Sequence, residues 1–147
     1  MPQNIHASAV VLGDRGIVIV GSSGMGKTQL ALTLISHARS FGWFARLVAD
    51  DQVLLSAHGG RVICAAPATI AGLVEVRGVG PWPAACEMKV PADLVVRLVE
   101  RHVAERFPET AMEPLLGCEV PLLKLAAEDR GAALMAVAAR LSLPPFG

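Results

Sequence analysis

Eight consecutive residues, Gly21, Ser22, Ser23, Gly24, Met25, Gly26, Lys27 and Thr28, fit the phosphate-binding pattern G-x-x-x-x-G-K-[ST] at every fixed position. The glycines let the backbone curl until its N–H groups face an anion, Lys27 can neutralise the outer phosphates, and the Thr28 hydroxyl can ligate Mg²⁺. A second group of reactive types, Asp50 and Asp51, follows at the end of an apolar run. One carboxylate can hold the metal of a Mg²⁺-nucleotide and the other can meet an acceptor hydroxyl, accepting its proton as transfer proceeds. Only one of the two is expected to face the acceptor, because neighbouring residues of a strand point to opposite sides. Farther on, Glu75 and Arg77 stand two apart in an apolar run, so in an extended segment both project from one face. They can form a surface ion pair or share a ligand, and spacing does not choose between these.

These groups need elements to hold them. Residues 16–20, short and β-branched, read as a buried strand entering the phosphate loop, and residues 29–35 read as the helix leaving it. A helix beginning near Lys27 would point its dipole and its unpaired N–H groups at a bound phosphate. Residues 7–12 read as a strand joined to 16–20 by a hairpin at Gly13, Asp14 and Arg15, and residues 46–49 as the strand that delivers the two aspartates. The glycine pair at 59 and 60 predicts a hairpin between strands at 53–55 and 61–64. Residues 67–72 read as a short helix opened by Pro67, residues 81–83 as the start of an irregular connection, and 94–99 and 121–125 as strands. A charged helix over 100–107 and an alanine-rich helix over 130–141 complete the order. Strands outnumber helices and include hairpins, so the expected fold class is α/β, a single domain with a mixed, partly antiparallel sheet.

A chain of 147 residues suffices for one such domain and its core. Zero formal net charge, with no cluster of Lys and Arg among aromatics, argues against nucleic acid and against an anionic membrane surface as partners. The 53% hydrophobic content is broken by Gly, Pro or charge well short of a membrane span. Cys64, Cys86 and Cys118 are far apart, with no C-x-x-C spacing, and read as reduced core thiols. No basic region followed by an apolar stretch opens the chain, so the cytosol is the expected compartment.

Taken together, His6, the phosphate loop, the run Val48-Ala49-Asp50-Asp51 and above all Leu73-Val74-Glu75-Val76-Arg77-Gly78-Val79-Gly80 resemble the catalytic domain of HPr kinase/phosphorylase. The resemblance is strong over residues 6–80 and weaker to residue 141. It implies a P-loop kinase domain of the HPr kinase/PEP carboxykinase kind, using ATP and Mg²⁺ to phosphorylate a seryl hydroxyl of the phosphocarrier protein HPr, and a homo-oligomer, a hexamer. Members also reverse the reaction, with inorganic phosphate as acceptor and pyrophosphate as product. Residues 21–28 would then cradle ATP, with Lys27 on the transferred phosphate. Thr28 and Glu75 would help hold Mg²⁺, assisted by Asp50, while Asp51 would be the base of the kinase step and the acid of its reverse. His6 would hydrogen-bond to the acidic group and tune it, although a lone His near a strand start reads as structural by itself. Arg106 would be the catalytic arginine, stabilising charge on the phosphoryl group in flight.

Three departures from the family are visible. The match begins almost at Met1, which predicts a short form without the family's amino-terminal domain. The interval between Lys27 and Asp50 is longer than usual. The family's Pro-Gly-Arg-Asn loop, associated with dephosphorylation, is represented only by residues 126–131, so the kinase direction is the firmer expectation. Two other functions fit the same motifs: an ATP-binding regulatory sensor of this fold, and a kinase for a different acceptor.

Overall fold

The strands that carry the site are apolar on both faces, and the architecture accounts for it. In the computed structural model, which describes residues 2–104 and 111–147, nine strands form one mixed sheet. Its long first strand, β1 (Gln3–Leu12), serves two neighbourhoods. The carboxyl-terminal half pairs antiparallel with β2 (Arg15–Val20) on one side and with β3 (Ala45–Ala49) on the other. The amino-terminal half pairs instead with β4 (Gln52–His58), placing His6 opposite Gln52. A register shift between Ala9 and Val10 marks the irregularity in the pairing with β3, of the kind that re-aims side chains beside functional sites.

Beyond β4 the sheet continues through β5 (Arg61–Ala65) to β8 (Lys89–Pro91). On the other flank, β2 runs parallel to β9 (Leu94–Val99), and β9 parallel to β11 (Cys118–Ala126), with β10 (Ala111–Leu115) antiparallel at the edge. A separate two-stranded ribbon consists of β6 (Leu73–Val76) and β7 (Gly80–Pro83). Two helices cover one face: α1 (Lys27–Ser40), directly after the phosphate loop, and α2 (Arg130–Leu141).

Alternate residues of β1 enter different cores. Val10 and Leu12 pack with Ile17 and Ile19 against Leu30 and Leu34 of α1 and Val137 of α2. Ala9 and Val11 turn the other way, to Val48, Val53, Leu55, Val62 and Val95. Burial on both sides explains an apolar run without alternation, the pattern of an interior strand. Gly16 permits the crossing at the start of β2, since a Cβ there would stand 1.8 Å from the carbonyl oxygen of Pro91. The mixed sheet, the hairpins turning at 13–15 and at 59–60, and both helices bounding the site agree with the sequence reading.

Four expectations change. Residues 81–83 all belong to β7, because Pro81, Trp82 and Pro83 pair with Glu75, Val74 and Leu73 on an edge where a missing proline N–H costs no ladder bond. The short helix expected at 67–72 reduces to one 3-10 turn, Ala68–Ile70. The expected charged helix over 100–107 is only a turn through Ala104, closed by the Val103 and Ala104 N–H groups on the Glu100 carbonyl; residues 105–107 lie outside the described residues. Among the cysteines, all free, Cys64 is a core thiol, but Cys118 is half-buried and Cys86 is exposed. No helix among the described residues is long and apolar enough to cross a membrane.

Candidate active site

The loop between β2 and α1 is held by its own backbone. The Met25 N–H donates to the Ser22 carbonyl at 3.1 Å, and Gly26 takes φ 90°, a left-handed conformation that a side chain would strain. Gly26 is also the cap residue of α1, without a side-chain cap, and the first turn of that helix contains no acidic residue. Its N–H groups and positive dipole end are therefore available to an anion. Lys27 is buried, and its Nζ donates to the Gly21 and Ser22 carbonyls at 3.0 and 3.3 Å, which fixes the ammonium inside the loop.

The two aspartates diverge. The sequence suggested that strand alternation would separate them, but β3 ends at Ala49 and the chain bends, with Asp51 at φ 67°. Asp50, 5% exposed, turns inward: Oδ1 accepts the Thr28 hydroxyl at 2.8 Å and the Ser8 hydroxyl at 2.9 Å, and Oδ2 accepts the Glu75 N–H at 3.1 Å. Three donors satisfy the buried carboxylate and set its rotamer. Asp51 turns outward to solvent, with Oδ1 2.6 Å from Nε2 of His6. The Ala7 N–H donates to the Asp51 carbonyl at 3.1 Å, tying the bend to β1.

Part of the loop, Asp51 and His6 border one cavity of about 590 Å³, with Asp50 behind its wall on Thr28. The loop contributes Ser23, Gly24, Gly26, Lys27 and Thr28, the bend Asp51, and β1 His6. The β6–β7 ribbon brings Glu75, Arg77 and Gly78, and α2 brings Arg130. Glu75 and Arg77 are exposed and make no ion pair with each other among the described residues, so the bland surface pairing is not what is observed. Gln29, also on the wall, has its Oε1 buried without a partner. A second cavity of similar volume lies across the loop, bounded by Val20, Gly21, Met25, Leu98 and Val103, and it shares His6 with the first.

Hard oxygen donors meet at Thr28 and Asp50, with the Glu75 carboxylate on the wall of the same cavity. Among the described residues no three of His, Cys, Asp or Glu converge as a metal-holding group. A divalent cation here would complete its shell with phosphate oxygens and water, which is how Mg²⁺ is usually bound beside nucleotides.

Of the residues singled out in the sequence, His6, the loop from Gly21 to Thr28, Asp50, Asp51 and Glu75 come together around this site. Arg106 lies outside the described residues. Sequence reasoning missed Ser8 and Arg130. Ser8, wholly buried in the otherwise apolar run of residues 7–12, carried one signal, a hydroxyl needing a partner. Arg130, within the stretch 126–131 that stands in place of the family's Pro-Gly-Arg-Asn loop, was not singled out, because its approach to the phosphate loop is a matter of tertiary packing.

Fold and site together define a phosphate-loop α/β domain in which the loop after β2 meets a buried and an exposed acid from the bend after β3. Comparison with known proteins narrows the class. Residues 1–130 match the HPr Serine kinase C-terminal domain model, and the chain belongs to that family. It is 33% identical over 135 residues to an HPr kinase/phosphorylase of Chloroherpeton thalassium, an alignment covering 84% of this chain and 38% of that protein. Against the HPr kinase/phosphorylase of Clostridium tetani, identity is 40% over 76 residues, 52% of this chain and 23% of the relative. The chain thus spans about two fifths or less of the length of these relatives. A solved structure, the Hpr(Ser) kinase/phosphatase from Coxiella burnetii, superposes with a TM-score of 0.79 at 22% identity, covering 95% of this chain and 88% of that one, and so shares the fold.

Proposed function

We propose that this domain is an ATP- and Mg²⁺-dependent protein-serine kinase whose acceptor is the phosphocarrier protein HPr. The observation that carries the reading is the division of labour between the aspartates: one buried on the phosphate-loop threonine, the other exposed on a histidine at the same cavity. Relatives named HPr kinase/phosphorylase supply the acceptor.

On this reading the backbone N–H groups of residues 21–28 and the start of α1 bind the phosphate chain, and Lys27 neutralises its outer charge. Thr28, Asp50 and Glu75 would hold Mg²⁺, which would supply charge neutralisation on the phosphate chain when bound. Asp51 orients the seryl hydroxyl and takes its proton as the oxygen attacks the γ-phosphorus, while the bond to the ADP oxygen breaks. His6 is the positioning residue for Asp51, holding its Oδ1 so that the other carboxylate oxygen is free for the acceptor. Arg106 is assigned to the phosphoryl group in flight on the resemblance alone. The reverse reaction, using inorganic phosphate and releasing pyrophosphate, would use the same groups with Asp51 as acid. Assembly as a hexamer belongs to the same reading, and sedimentation of the purified chain tests it.

Incubation with ATP, Mg²⁺ and HPr, followed by intact mass and phosphoserine mapping, tests the assignment. One phosphoryl group on a serine of HPr is expected. ATP binding without transfer would leave the regulatory-sensor reading, and transfer only to another protein would leave a kinase of different specificity.

A further inference from the structure

Arg130 stands at an unfavourable place for a cation. It is the first residue of α2, where the helix dipole presents positive charge, and no acidic residue in that first turn offsets it. The adjacent Asp129 is already engaged as the cap, its Oδ1 accepting the Ala132 N–H at 3.0 Å. Among the described residues Arg130 has no ion-pair partner. Yet its guanidinium is laid over the phosphate loop: a Cβ on Gly26 would be 3.8 Å from its Nε and 3.9 Å from its Nη2. It lines the same cavity as Lys27, Thr28 and the start of α1.

A local rule broken without a compensating internal partner marks a position where a ligand completes the interaction. From this we infer that Arg130 binds the phosphate chain of the nucleoside triphosphate, as a cation facing Lys27's loop from a second helix. Two helix starts then converge on one anion, α1 with its backbone N–H groups and α2 with a side chain whose planar fork suits phosphate oxygens. The alternative, that Arg130 merely packs on Gly26, predicts that its removal destabilises the protein. The phosphate-binding role predicts the opposite, since removing an unpaired cation from a helix amino terminus relieves repulsion.

The inference rests on the nucleotide reading of the loop but not on the identity of the acceptor. Calorimetric titration of Mg-ATP into the wild-type chain, Arg130→Gln and Arg130→Lys, with the melting temperature of each free protein, tests it. Arg130→Gln is expected to weaken ATP binding about 10- to 100-fold, the range for a lost charge-assisted contact. Arg130→Lys is expected to lose less, and the melting temperature of free Arg130→Gln to be unchanged or higher. Binding by Arg130→Gln within about twofold of wild type overturns the inference, and so does an equal loss in both variants or a lowered melting temperature in the free glutamine variant. A wild-type chain that binds no Mg-ATP overturns this inference and the nucleotide reading together. Failure to phosphorylate HPr by a chain that binds ATP overturns only the acceptor.

Discussion

At the residue scale the site depends on a carboxylate whose environment is almost entirely donors. Asp50 receives two hydroxyls and one backbone N–H, from β1, α1 and β6, and so links three elements at one buried point. If Thr28 turns its oxygen to a cation, Ser8 and the Glu75 N–H still hold the carboxylate, which makes Ser8 the side chain that keeps Asp50 aimed. Ser8→Ala should therefore destabilise the fold by about 1–3 kcal/mol, the cost of removing a hydrogen bond to a buried charge. It should also raise the Mg²⁺ concentration needed for half-maximal nucleotide binding. Urea denaturation and a Mg²⁺ titration check the two effects, and Ser8→Thr, which keeps the hydroxyl, should restore much of both. The phosphate loop and both aspartates were legible from residue type and spacing, because phosphate and Mg²⁺ chemistry admits few alternatives. Ser8 was not, since a small residue inside an apolar run gives no sign of which buried charge will meet it.

At the element scale, hydrophobic pattern located the strands well but not their surroundings. β1, β2, β3 and β9 were readable as continuous apolar runs because the core lies on both of their faces. The ribbon strand β7 was hidden by its prolines, which an edge tolerates, and the charged stretch after β9 imitated helix periodicity while making only a turn among the described residues. The cysteines show the same gap between type and place. Burial, reinforced by the nearby Asp93 charge, pushes the Cys64 thiol from 9.0 up to about 12. Cys86, beside β3, is exposed. At pH 8, alkylation followed by peptide mass mapping should modify the exposed Cys86, and should modify Cys64 on the order of 10³-fold more slowly in the native chain than after unfolding, from its thiolate fraction alone. The sign for stability follows. The folded chain keeps the Cys64 proton to about pH 12 and the unfolded chain releases it near 9.0, so stability falls as pH rises through that window and is unaffected below it.

At the scale of the whole molecule, the sheet and two helices bring four separate stretches to one cavity: the loop after β2, the bend after β3, the β6–β7 ribbon and the start of α2. Their convergence could not be read from any one motif, although their order along the chain carried the family resemblance that the matched domain bears out. What the architecture adds is a direction: Asp50 faces the protein and the loop, Asp51 faces outward to solvent. The most direct test is transfer of the terminal phosphate of ATP to HPr, in single turnover, by the wild-type chain and by Asp51→Asn, with ATP affinity measured in parallel. Asp51 as the base predicts transfer by the wild type and a loss of at least about 100-fold in Asp51→Asn, the scale of a lost general base, with ATP affinity nearly unchanged. Transfer by Asp51→Asn at the wild-type rate would contradict it.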